Sequence, residues 1–145
     1  MAVTANLYGL ALQSAFNKEI DWDSDTIKVM LCTSSYTPNQ DTHRYKSDVT
    51  NEVTGTGYTA GGATLTSPTF AYTSGTNTVT LDAADTSWAN STITARYAVI
   101  YDATPGSDAT RPLIAFVDFG ANVSTTAGTF SIVWDATGIV NLSAA

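Results

Sequence analysis

Several kinds of residue are scarce in this chain of 145 residues, and each scarcity excludes something. Cys32 is the only cysteine, so there is no intrachain disulfide and no thiolate metal cluster. His43 is the only histidine, and one His with one Cys builds a zinc site only if carboxylates are gathered from elsewhere. Charged residues make up 13% of the chain, and only six are basic against 13 acidic, a formal net charge of -7. Lys18, Lys28, Arg44, Lys46, Arg96 and Arg111 are scattered along the sequence, so a phosphate backbone is repelled and nucleic acid is not an expected partner. No apolar run approaches membrane-spanning length, so no membrane partner is expected. The N-terminus has no basic stretch, and Asn6, Gly9 and Gln13 interrupt its apolar residues, a poor signal peptide.

What is present reads as β structure. Hydrophobic residues make up 43%, which is ordinary for a chain that buries a core, and the length suits one domain, 1–145. The centre is Thr92 to Gly120, two apolar strands around the turn-rich linker TPGSDATR. Ala95, Tyr97, Val99 and Tyr101 alternate with Arg96, Ala98, Ile100 and Asp102. Leu113, Ala115, Val117 and Phe119 alternate with Ile114, Phe116 and Asp118. Period-two patterning with apolar residues on both faces describes strands covered on both sides.

Around that hairpin the sequence predicts one helix over 4–19, TANLYGLALQSAFNKE, capped by Thr4. Its polar stripe is narrow, so it either lies deep against the sheet or is shared with another subunit, with Leu7, Leu10 and Ser14 as candidate contacts. Asp21, Asp23 and Asp25 start like a calcium loop, but Thr26 stands where glycine belongs and Cys32 where glutamate belongs. They read as a solvated turn before a first strand, Thr26 to Thr33, in which Cys32 is a buried, inert thiol. Residues 34–52 form a long polar loop leaving the sheet, with His43 beside Asp41, Arg44 and Tyr45.

No nucleophile motif accompanies that histidine, and GTGYTAGG misses the dinucleotide fingerprint, so its glycines read as turns. A strand from Ala63 to Tyr72 is broken by Pro68, and a turn at Ser74 to Asn77 leads into Thr78 to Asp82. Asp82 to Trp88 reads as a turn, Asn122 to Thr129 as a small-residue loop, and Thr129 to Asp135 and Ile139 to Leu142 as strands. The expected fold is mainly β: a β-sandwich or barrel-like domain over 26–142 of about seven or eight short antiparallel strands, with one N-terminal helix. No cofactor is expected.

Thr33-Ser34-Ser35-Tyr36-Thr37-Pro38, then Gln40-Asp41-Thr42-His43, then Glu52-Val53-Thr54-Gly55-Thr56-Gly57-Tyr58-Thr59-Ala60-Gly61-Gly62 resembles a family of small structural proteins of tailed bacteriophages. ITARYAVIYD, PLIAFVDFG and TFSIVWDATGIVNL extend the likeness over nearly the whole chain. The resemblance implies a non-enzymatic virion protein made in the host cytoplasm. It would be a head decoration (cement) protein on the outer capsid surface, a homotrimer or other homo-oligomer bound to the major capsid protein. The alternative is a minor tail or fibre-associated protein that binds a host surface or glycan, with Tyr36, His43 and Tyr45 as the adhesive residues. A glycan hydrolase is the enzymatic alternative. It requires paired carboxylates, and the acidic residues here fall largely in turns.

Overall fold

A computed structural model describes residues 2–144, so the two end positions of the expected 1–145 span lie outside the described residues. The fold is mainly β, with two antiparallel sheets. The five-stranded sheet has the order β1-β7-β6-β2-β3, from β1 (Thr4–Leu7), β2 (Ile27–Cys32), β3 (Ala63–Thr64), β6 (Thr86–Asp102) and β7 (Leu113–Ile132). The three-stranded sheet has the order β4-β5-β8, from β4 (Thr69–Thr73), β5 (Thr78–Asp82) and β8 (Val140–Ser143). One α-helix, α1, spans Gly9–Phe16.

The central strands are apolar on both faces because both faces are covered. Ile27, Val29 and Leu31 of β2 pack with Ala98 and Ile100 of β6 and with Val140 of β8, in a core that runs between the two sheets. Met30 and Cys32 of β2 point the other way, joining Val99, Tyr101, Leu113 and Phe116 beneath Tyr8, Ala11 and Tyr36. So α1 and the 34–52 segment roof the large sheet, and the small sheet floors it. Cys32 is buried as expected; burial, with Glu52 adding to it, pushes its thiol up to about 12.

Of the four register shifts between β6 and β7, the one nearest the start of β7 decides which face Leu113 takes. Ile100 pairs with Ala115 but Tyr101 pairs with Leu113, which leaves Ile114 as the extra residue. Leu113 therefore shares a face with Phe116, not with Ala115 and Val117 as strict alternation predicts.

The helix over 4–19 is corrected to a strand followed by two turns of helix. Thr4 to Leu7 pair antiparallel with Asp118 to Ala115, and Tyr8 is extended at φ -67 and ψ 132, so Thr4 caps nothing. The open edge of β7 offers four residues a ladder of backbone hydrogen bonds, and that outweighs a helix preference of a few tenths of a kcal/mol per residue, on the order of intrinsic propensity differences.

Two expected loops are also strand. Asn122 to Thr129 belongs to β7, where side-chain hydroxyls pair across to β6: Thr94 with Ser124 at 2.7 Å and Ser91 with Thr125 at 2.8 Å. The expected turn ends early, because β6 begins at Thr86 and Trp88 packs from it into the core. The break at Pro68 is where it was expected, between β3 and β4.

Residues 34–52 do not leave the sheet; they fold back over it. Tyr45 bridges to Pro112, Lys46–Asp48 form a 3-10 turn, and Val53 N–H donates to Leu31 O at 2.9 Å. The glycine run then passes close enough to backbone to exclude a side chain at Gly55, Gly57 and, most severely, Gly62. Gly62 has φ +78, and a Cβ there would run into the Val29 carbonyl.

Candidate functional site

The residues singled out by sequence gather where α1 meets the 34–52 segment, in two groups. The first is a hydrogen-bonded chain in the roof. Tyr8, at the N-cap of α1, donates its hydroxyl to Tyr36 at 2.8 Å, and Tyr36 donates to His43 Nδ1 at 3.0 Å. Asn39 N–H also points at Nδ1, 3.3 Å away, so Nδ1 acts as acceptor and the ring proton is assigned to Nε2. Burial raises both phenols, and the order of donation separates them. Tyr8, which gives its proton toward Tyr36, is raised further by that bond, whereas Tyr36 is lowered by receiving it and stands at about 12.

The second group ties the helix down from its polar side. Ser14 is fully buried and its hydroxyl accepts Arg44 Nε at 3.3 Å, while Arg44 Nη2 pairs with Glu19 at 3.0 Å. The Arg44 guanidinium lies 5.0 Å from the Tyr45 ring centroid, and Tyr45 reaches the same Glu19 at 3.5 Å. Leu7 is half-buried and its carbonyl accepts Gln40 Nε2 at 2.7 Å; Leu10 is half-buried on the helix.

This placement corrects two candidate contacts. Ser14 and Tyr36 are interior residues, 0% and 1% exposed, because each supplies a hydrogen bond that the roof needs. They hold other residues in place and present almost no surface of their own. His43 and Tyr45 keep part of their surface, as do Leu7 and Leu10.

Sequence reasoning passed over the two large apolar residues of α1 that are exposed. Leu12 is 40% and Phe16 88% exposed, and their i, i+4 spacing puts them on one face of α1. The signal was present as an excess of apolar residues on the helix. Which of them face outward cannot be read from the sequence, because the expected helix is about two turns too long and its buried face is set by the sheet.

The carboxyls Asp25 and Asp102 are committed to structure. Asp25 Oδ2 accepts Asp21 N–H at 2.8 Å, which closes the DWDSD turn. Asp102 is fully buried with Asp25 beside it, so this carboxyl pair does not flank a cleft as a glycosidase pair must. Burial pushes Asp102 up to about 6, and the neighbouring Asp25 adds to the rise.

Fold and site together define a sandwich-like β domain with a short helix docked on its larger sheet. Compared with protein-family models, curated proteins and solved structures, the chain matches none.

Proposed function

We propose that this is a non-enzymatic structural protein of a tailed-phage virion, a decoration protein that binds the outer surface of the major capsid protein. The observation that carries the reading is the exposed Leu12–Phe16 stripe on a helix locked to its sheet by Tyr8, Ser14 and Arg44. A rigid platform that displays large apolar side chains suits a subunit that assembles with others, and fully burying a side chain such as Phe16 contributes about 1.5–3 kcal/mol. The family resemblance of the 33–62 motifs supplies the setting, and the acidity of the chain favours a place away from packaged DNA. Contacts of that size repeated in a homo-oligomer add through avidity on a capsid lattice.

Cryo-electron microscopy of the particle tests this directly. Density for the subunit on the outer face of the head is the expected result. Density confined to the tail would replace it with the tail or fibre reading, in which His43 and Tyr45, and not the buried Tyr36, would face a host surface.

A further inference from the structure

Three of the six basic residues that lie far apart in the sequence meet in the fold. Lys28 of β2, Lys46 of the 3-10 turn and Arg111 just before β7 line an open recess of about 470 Å³ beside Tyr101. Lys46 Nζ stands 5.7 Å from the Tyr101 ring centroid. A Cβ built on Gly61 would lie 3.4 Å from Tyr101 Oη and 3.9 Å from Lys28 Nζ, so phenol and ammonium flank the same glycine. Arg111 joins through Asp108, whose two oxygens accept Lys46 Nζ and Arg111 Nη1, each at 2.8 Å.

Cations gathered this way need compensating charge, and the recess supplies too little. Asp108 serves two of them. Glu52 is the second carboxylate of the lining, but its Oε1 accepts Tyr58 O–H at 2.7 Å and the Gly61 N–H as well. Lys28 makes no ion pair among the described residues. Three cations against two carboxylates leave one positive charge in excess, within a chain whose net charge is -7. Donors are in surplus too. Arg111 uses Nε on the Pro105 carbonyl at 2.8 Å and Nη1 on Asp108, leaving part of its fork unused, and an ammonium such as Lys28 carries three N–H groups.

We propose that this recess binds a single carboxylate, with Lys28 as its counter-charge and Arg111 as a second donor. The class follows from the charge: one negative charge neutralises the excess, a dianion overshoots it, and a neutral group leaves Lys28 uncompensated. A free monocarboxylate and a glutamate side chain of a neighbouring protein present the same chemistry. The site does not depend on the virion reading and stands or falls separately from it.

The test is a proton–nitrogen NMR titration of the full chain with sodium acetate at constant ionic strength in chloride, with acetamide in parallel. Saturable shifts at the Lys28 and Gly61 amides are expected with acetate and none with acetamide. Lys28→Gln should weaken acetate roughly tenfold, about 1.4 kcal/mol, while Lys28→Arg keeps it. Arg111→Gln, which should also weaken it, is the second variant should K28Q lose its fold. A short peptide with one glutamate, compared with its glutamine counterpart, separates the sources: tighter binding than acetate points to a protein neighbour, equal binding to a free ligand. No saturable shift in the parent chain, equal shifts with acetamide, undiminished binding in K28Q, or tighter binding of dianionic phosphate would each overturn the proposal.

Discussion

Among the described residues, Asp102 is the carboxyl with a buried oxygen that lacks a hydrogen-bond partner. It is fully buried, its Oδ1 accepts Thr104 N–H at 2.8 Å, and its Oδ2 meets no N–H or O–H donor. What it faces is Asp25, and two carboxyl groups can be joined only through a shared proton. The folded chain therefore keeps a proton up to about pH 6, whereas the unfolded chain loses it near the ordinary value of about 3.9. Stability from this group is complete below the lower value, falls as pH rises between the two, and is gone above the higher. Asp108 and Asp118 work in the opposite sense. Lys46 and Arg96 respectively hold them below the usual range, so their contribution is present above that range and lost as pH falls below it through the lowered folded values. Asp102→Asn would keep the bond from Thr104 and offer Asp25 an N–H in place of the proton. Urea unfolding of D102N should show a gain on the order of 1–2 kcal/mol above pH 6 and a flatter profile between pH 4 and 6; lower stability above pH 6 would refute the shared proton. Tyr36→Phe tests the roof in the same way. It leaves the Tyr8 hydroxyl buried without an acceptor and His43 Nδ1 with one donor fewer, an expected cost of about 1–3 kcal/mol in denaturant unfolding.

At the scale of the element, α1 makes the proposed association separable from folding. Phe16→Asp changes a side chain that is 88% exposed, so stability should stay within about 0.5 kcal/mol while sedimentation moves toward smaller species. Unchanged sedimentation would remove the helix from the contact. Leu10→Asp is less clean, because Leu10 is half-buried and its loss also disturbs the fold. Elements whose residues decide their own fate were legible in the sequence. β2 and the central parts of β6 and β7 are apolar on both faces because both faces are covered, and Pro68 lies in the break between β3 and β4. Elements decided by a distant partner were not. Thr4 to Leu7 favour helix until the edge of β7 is beside them, and Asn122 to Thr129 look like loop until Ser91 and Thr94 supply hydroxyl partners. Of the candidate contacts, the polar pairings of Ser14 and Tyr36 pointed inward for the same reason: their partners, Arg44 and Tyr8, lie about 30 residues away.

Across the whole molecule, the small sheet keeps an open border. All five residues of β4 are exposed, with Phe70 at 56% and Tyr72 at 58%, and none is charged. Only Pro68 before it interferes with another strand docking there. At neutral pH, mutual repulsion between molecules of charge -7 keeps such borders apart. Near the isoelectric point expected from the sequence, about pH 4.2, that repulsion vanishes, so the most stable protonation state of Asp102 coincides with the poorest colloidal one. Light scattering should rise sharply near that pH, and Phe70→Lys should suppress the rise without lowering the unfolding midpoint. Usefulness near that pH would then be limited by precipitation of intact molecules, with strand-to-strand zippering between neighbours setting the shelf life of a concentrated solution.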